Sequence, residues 1–239
     1  MKLMTVGTLR GGAGATTVAA MAAEALVGQG ARVLLVDACP ENMLRLFFPI
    51  AYEAQDGWAH APQAWTEQAF EVQERLVLCP FGQPAGGAQA LNADAAIEFW
   101  MQSLPRLAPE FDWVIADIGV IGPGSASWRR TAFMDLIVLN PDIGTHVRMG
   151  QSSLLAPESR LLINQFDPAR KLSADLVLDW RVRYADQLLP VFVHRDEALH
   201  EALAKRMTIA DYMPRSAAAL DFSALAVWAL AQQRLEQPC

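Results

Sequence analysis

Thr8-Leu9-Arg10-Gly11-Gly12-Ala13-Gly14-Ala15-Thr16-Thr17 closes the short apolar run Lys2 to Thr8 and opens an Ala-rich stretch, Thr16 to Gln29, which stops at Gly28 and Gly30. A buried strand, a glycine-rich turn and a helix in that order suit an anion. The glycines let the backbone wrap around it, and the helix N-terminus adds unpaired N–H groups and the positive end of its dipole. A tight turn that binds nothing is the plain alternative. Two ligand classes fit the loop. A dinucleotide loop has Gly-x-Gly-x-x-Gly with an acid about twenty positions on. Gly12-Ala13-Gly14 and Asp37 match that pattern, but Thr17 fills the third glycine position, where close helix–strand packing favours Gly or Ala. A phosphate loop needs a hydroxyl for magnesium directly after it and an acid at the end of a later strand. Thr16 is that hydroxyl, and Asp117, closing Phe111-Asp112-Trp113-Val114-Ile115-Ala116-Asp117, is that acid unless it caps a helix. Taken together, Thr16, Thr17 and Asp117 favour a nucleoside triphosphate.

Outward from the loop, apolar runs without alternation recur at Arg32 to Ala38, Arg75 to Cys79, Trp113 to Ile118, Leu136 to Asn140, Leu161 to Asn164 and Leu189 to Val193. Such runs are strands covered on both faces, the mark of a parallel sheet. Helical stretches are expected near residues 93–107, 125–133, 145–155, 172–187, 197–206 and 216–234. Strand–helix alternation over the whole length predicts an α/β, doubly wound, mostly parallel sheet of about seven to eight strands with helices on both faces. Residues 1–239 read as one domain, with Pro40 to Glu74 and Phe81 to Ala90 as surface insertions.

The composition narrows the function. Of 239 residues, 53% are hydrophobic and 19% charged, which excludes disorder, and 19 Lys+Arg against 26 Asp+Glu leaves a net charge of −7. That balance argues against a broad nucleic-acid surface, although Arg181 and Arg183 form a small basic spot. Cys39, Cys79 and Cys239 are an odd number at irregular spacing, suited neither to a disulfide framework nor to zinc. Met1 to Leu9 is too short an apolar run for a signal peptide, and no stretch is long enough to span a membrane. The expectation is a cytoplasmic protein.

Arg10-Gly11-Gly12-Ala13-Gly14-Ala15-Thr16-Thr17 resembles the deviant Walker A loop, K-G-G-x-G-K-T-T, of the MinD/ParA family of dimerising ATPases. Val33-Leu34-Leu35-Val36-Asp37-Ala38-Cys39-Pro40 is similar to that family's V-L-L-V-D-x-D-P signature. Leu161-Leu162-Ile163-Asn164 resembles the strand whose Asn meets adenine, and Val193-His194-Arg195-Asp196 the adenine-side segment. More narrowly, Leu44-Arg45-Leu46, Gly57-Trp58-Ala59, Pro80-Phe81-Gly82-Gln83 and His194-Arg195-Asp196-Glu197-Ala198 resemble the branch of the family found in bacterial cellulose-secretion systems.

The resemblance implies ATP and Mg²⁺ as cofactors, a homodimer bridged by ATP, and partners among cellulose-secretion proteins, including a small regulatory one, that recruit the chain to the inner membrane. It implies phosphate contacts from Arg10, Gly11, Gly12, Ala13, Gly14, Ala15, Thr16 and Thr17. Thr16, Asp37 and Asp117 would hold the metal, Asp37 and Asp117 would be catalytic, and Asn164, His194, Arg195 and Asp196 would lie on the adenine side.

Two departures bear on activity. Ala15 stands where the family has the Walker lysine, and Arg10 where it has the signature lysine that crosses the dimer; only Lys2, Lys171 and Lys205 are lysines in the chain. Cys39 replaces the second Asp of strand two, and a thiol is a weaker acceptor. The expectation is at most a slow Mg-dependent ATPase. A nucleotide-independent scaffold and a nicotinamide-dependent oxidoreductase stay open as alternatives. MinD-type proteins attach to membranes through a basic amphipathic C-terminal helix. Here Ser216 to Cys239 holds one cation, Arg234, so core packing rather than direct membrane insertion is expected.

Overall fold

Strands buried on both faces must lie inside a covered sheet. The computed structural model, which describes residues 1–59, 62–82, 100, 102–151, 153 and 155–235, contains one sheet of eight strands. They are β1 (Lys2–Thr8), β2 (Val33–Asp37), β3 (Phe70–Gln73), β4 (Leu76–Cys79), β5 (Trp113–Val120), β6 (Met134–Leu139), β7 (Arg160–Phe166) and β8 (Leu188–His194). Their order is β3-β4-β2-β5-β1-β6-β7-β8, parallel throughout except for β3 against β4. The chain leaves β1 toward one edge and β5 toward the other. Ligands of such sheets sit beyond the carboxyl ends of the strands at this reversal.

The covering helices are α1 (Ala15–Gly28), α2 (residues 102–107), α3 (Ala126–Thr131), α4 (Ile143–Gln151), α5 (Lys171–Arg183), α6 (Ala198–Ala204), α7 (Ile209–Tyr212) and α8 (Ala217–Leu235). Successive side chains of a strand point to opposite faces, and the two core layers divide accordingly. Val33, Leu35, Trp113 and Ile115 pack in the layer that holds α1 and α8. Leu34, Val36, Val114 and Ala116 pack in the other, with Trp58, Trp100, Trp128 and Trp180. By the same alternation Asp37 and Asp117, two residues beyond Leu35 and Ile115, point to the α1 side. Alanines at 19, 20, 22 and 23, all essentially unexposed, let α1 lie close between the sheet and α8.

The segment from Pro40 to Glu74, expected as a surface insertion, is exposed at many of its described positions, but Leu44, Phe47, Phe48, Ile50, Trp58 and Trp65 carry parts of it into the core. Trp58 is 2% exposed, stands edge-on to Phe81 and Trp100, and its indole N–H donates to the Asp37 carbonyl at 2.7 Å. Trp58 N–H donates to the Pro80 carbonyl and Ala59 N–H to that of Phe81. A Cβ on Gly57 would stand 2.2 Å from the Gly82 backbone, so the crossing of these two segments requires glycine. The reason is area: burying each indole removes roughly 200 Å² from water, which outweighs the polar character of the intervening loop. β3 is the eighth strand, absent from the seven runs read in the sequence because its polar Glu71 and Gln73 leave no continuous apolar run. The four-residue α7 was likewise not expected. Of the second expected insertion only Phe81 and Gly82 are described; residues 83–90, and 93–99 of the helix expected there, lie outside the described residues. The basic spot is partly neutralised, since Arg183 pairs with Asp179 at 2.7 Å and Arg181 stacks over Phe192. Among the described residues no helix is long and apolar enough to cross a membrane.

One buried acid links α1 to α7. Glu24 is 8% exposed and accepts a hydrogen bond from the Thr208 hydroxyl, which itself caps α7, with Asp211 nearby. Burial is the main cause that pushes the Glu24 carboxyl up to about 7. An acid whose folded pKa is raised binds more protons folded than unfolded, so stability falls as pH rises from about 4.5 to about 7. Glu24→Gln is expected to flatten this dependence and to raise stability above pH 7 by about 2 kcal/mol. Urea titrations of both proteins between pH 5 and pH 8 measure it (a range set by the two pKa values); parallel pH profiles would contradict it.

Candidate functional site

The loop Leu9 to Gly14 takes its shape from two positive φ angles, +80° at Gly12 and +87° at Gly14, both in the left-handed region that glycine tolerates. Gly14 is the N-cap of α1, so the next residues open the helix with free N–H groups. Two asparagines at the ends of neighbouring strands tie the loop down. Asn164, after β7 residue Ile163, donates to the Ala13 carbonyl at 2.7 Å, and Asn140, after β6, donates to the Gly12 carbonyl at 3.4 Å. A Cβ on Gly14 would stand 2.6 Å from the Asn164 amide nitrogen, so this approach also requires glycine.

Two carboxylates lie beneath the loop. Parallel pairing sets Asp37 of β2 directly beside Asp117 of β5, and neither is exposed. Asp37 accepts N–H bonds from Cys39 at 2.9 Å and Leu44 at 3.0 Å. Asp117 accepts one from Gly119 at 3.1 Å, and its other oxygen, Oδ2, is buried without a hydrogen-bond partner among the described residues. Burial, followed by repulsion from Asp117, raises the Asp37 pKa well above the carboxylate range. Burial likewise pushes Asp117 up to about 6, although the neighbouring Thr16 hydroxyl favours its charged form. An unpartnered oxygen and two crowded acids fit a hard divalent cation, which takes oxygen ligands. Thr16 and Asp117 would hold it, with Asp37 behind them. The Cys39 thiol lies close to both carboxylates. Burial and the surrounding acids push its pKa far above the ordinary thiol value, which favours the thiol over a nucleophilic thiolate, and a soft sulfur suits Mg²⁺ poorly.

A cleft of about 540 Å³ runs from the loop residues Gly11 to Thr17 past Cys39, Glu41 and Gly119. Met43, Leu46, Phe47, Val120 and Leu203 add an apolar part to its lining, and of these only Leu46 lay in a fragment quoted from the sequence. A small neighbouring pocket shares Gly14, Thr17 and Leu203 with it and is lined by Asn164, Gln165, His194, Arg195 and Asp196. The residues expected at the phosphates and at the adenine thus come together in adjoining cavities. Several of them are already engaged. The His194 ring and backbone both reach Asp221 of α8, at 2.9 and 2.8 Å. Asp196 accepts N–H bonds from Ala198 and Ala218, 3.0 Å each, at the starts of α6 and α8. Arg195 is exposed at the pocket rim.

Arg10 lies between the loop and α4, and one of its guanidinium N–H groups donates back to the Gly11 carbonyl at 3.3 Å. Its guanidinium pairs with Asp142 and donates to the Thr145 hydroxyl at 3.2 Å, both at the start of α4. Asp142 was not foreseen, although its place just past β6 carries the same positional signal as Asp117. Ala15, in the first turn of α1, is buried and brings no charge.

Strand order, loop and paired acids together define a phosphate-loop fold of the ParA/MinD type. A ParA family ATPase from Chlorobium tepidum superposes with a TM-score of 0.77 at 18% identity over 95% of this chain and 97% of that one. The septum site-determining protein MinD from Pyrococcus horikoshii, solved with Mg-ADP, gives 0.75 at 17% identity over 100% and 99%. The sequence is nearer to another group. Residues 1–230 match the family model described as cellulose biosynthesis protein BcsQ. The cellulose biosynthesis protein BcsQ of Escherichia coli K12 is 30% identical over 93% of this chain and 91% of its own length. The chain belongs to the BcsQ family.

Asp117→Asn removes one of two repelling buried charges. At pH 8 the variant is expected to be more stable than the unsubstituted protein by about 1 kcal/mol or more, and to lose any rise in melting temperature on adding Mg²⁺ with nucleotide. Thermal melts with and without both ligands check this; an unstabilised variant that still responds to them would refute the arrangement.

Proposed function

We propose that the cleft binds ATP with Mg²⁺, that the nucleotide bridges two copies of the chain, and that hydrolysis is slow. The observation that carries this reading is a tethered glycine loop opening a helix above two buried, unneutralised carboxylates. Residues 11–17 cradle the phosphates with backbone N–H groups. Thr16 and Asp117 hold the cation, and Asp37 orients them from beneath. The cation supplies charge neutralisation between phosphate and carboxylate. On the adenine side the Asn164 carboxamide and Arg195 face the base, while His194 and Asp196 shape that wall by holding α6 and α8.

Slow turnover follows from what the site lacks. Phosphoryl transfer rests on positioned charge, and losing one such contact costs about 3 kcal/mol, roughly two orders of magnitude in rate. Ala15 provides no charge, Cys39 is a neutral thiol where an acceptor would orient water, and Arg10 must leave Asp142 before it donates to a phosphate. Bound nucleotide then acts as a bridge rather than a fuel. Residues 1–239 work as one nucleotide-binding domain in the cytoplasm. It regulates bacterial cellulose synthesis and secretion and is recruited to the inner membrane by secretion proteins, a small regulatory one among them. The acidic surface does not bind nucleic acid, and the chain does not itself insert into the membrane. The paired state of Arg10 also favours a second reading, a scaffold that binds no nucleotide.

Calorimetry with a non-hydrolysable ATP analogue and Mg²⁺ separates the two. Binding that Thr16→Ala weakens by about tenfold or more supports the proposal, and no heat with the unsubstituted protein leaves the scaffold. Light scattering is expected to show a nucleotide-dependent doubling of mass. Asp142→Ala, which frees Arg10, is expected to lower the nucleotide concentration needed for that doubling; an unchanged or higher requirement would remove Arg10 from the bridge.

A further inference from the structure

A helix on a protein surface normally turns polar residues to water, and of the exposed positions of α8 only Arg234 is polar. Its buried side, with Ala218, Phe222, Leu225, Ala226 and Ala229, packs into the core layer of α1. Its exposed positions are 217, 220, 224, 227, 231, 234 and 235, and the side chains there are Ala, Leu, Ala, Val, Ala, Arg and Leu. Leu220 is 62%, Val227 53% and Leu235 79% exposed. Scattered surface apolars are ordinary. From Ala217 to Ala231 these instead form an unbroken line with spacings of 3, 4, 3 and 4 residues, the repeat of a helix–helix seam. A helix with an apolar stripe on its outer as well as its inner side is suited to packing on both.

We propose that this stripe pairs with the same stripe of a second copy, antiparallel and about a two-fold axis. Small and large residues alternate along it, with alanines at 217, 224 and 231 and longer side chains at 220, 227 and 234. In an antiparallel pair centred between residues 225 and 226, Leu220 faces Ala231 of the second copy and Ala224 faces its Val227. Leu220, Val227 and Arg234 then each meet an alanine, while Leu235 at the end of the helix faces Ser216; this is the self-complementarity a two-fold interface needs. The same register brings Arg234, the one cation of α8, within a turn of Asp221 of the second copy, the one acid of α8, whose Oδ2 is already held by His194. A lipid surface fits poorly, since an interfacial helix carries several cations beside its apolar face, and this chain has a net charge of −7. The stripe offers on the order of 400 Å² per copy, about half of what each partner buries in a standard stable interface. The contact is therefore weak and concentration-dependent. No stripe residue lines either cavity at the loop, so the pairing is independent of nucleotide and adds a second axis to any nucleotide-bridged dimer.

Sedimentation equilibrium of the nucleotide-free protein, carrying Thr16→Ala to silence the loop, tests this separately from the nucleotide proposal. The expected result is reversible self-association that Ala224→Glu weakens by about tenfold or more, because it sets an unpaired carboxylate into the seam. Register is read in a Cys239→Ser background. A mixture of chains carrying Ala224→Cys and Val227→Cys is expected to oxidise to the crossed dimer in preference to either same-site dimer. A chain that stays monomeric at all accessible concentrations overturns the proposal, as does self-association insensitive to Ala224→Glu. Binding of phosphatidylglycerol vesicles by a monomer, lost in Ala224→Glu, would transfer the stripe to a lipid surface and equally overturn it.

Discussion

Two carboxylates buried side by side at the carboxyl ends of adjacent strands are the constraint around which the rest of the chain is arranged. Asp37 and Asp117 are neighbours because β2 pairs in register with β5, and both face α1 because strand side chains alternate. An apolar interior would expel such a pair. Three backbone N–H groups and the Thr16 hydroxyl offset part of the cost, and Asp117 Oδ2 receives nothing from the described residues. The raised proton affinities of both acids record the remainder. Two acids held this way cost the fold stability at neutral pH, a cost that a bound cation of the kind proposed would offset.

The surrounding structure holds this pair still from both layers. On one side the Trp58 indole fixes the Asp37 carbonyl, within an aromatic cluster whose burial exceeds any local preference of the loop. On the other, Asn140 and Asn164 restrain successive carbonyls of the glycine loop, which opens the first turn of α1. The arginines that reach the loop are spent on its carbonyls, Arg148 on Leu9 at 3.4 Å and Arg10 on Gly11 at 3.3 Å. Arg10 is also neutralised by Asp142, and Ala15 lies buried. The loop thus offers chiefly backbone dipoles, which under the proposed function would suit retention of a nucleotide better than its cleavage.

Much of this was legible in the chain. Unalternating apolar runs gave a parallel sheet because only strands covered on both faces can be apolar at every position. The loop residues Gly11 to Thr17 and the acids Asp37 and Asp117 were located by their place after strands. Family membership was visible in fragments such as Val36-Asp37-Ala38-Cys39-Pro40, and the match over residues 1–230 bears it out. The polar edge strand Phe70–Gln73 was not legible, because a strand with one exposed edge and polar positions lacks the apolar signature. Nor was the outer face of α8, since composition does not tell which apolar residues of a helix find the core.

The sequence by itself determined the sheet, the strand–loop–helix unit and the identity of the charged groups, all of which depend on local periodicity and on residue chemistry. Tertiary structure alone decided where the side chains went: Arg10 onto α4, Asn164 onto the loop, Trp58 behind Asp37, and Leu220 and Val227 into solvent. Each of these turns on contacts between residues tens to more than a hundred positions apart, or on the lack of them, and no local pattern encodes a neighbour that only the crossovers of the sheet bring near.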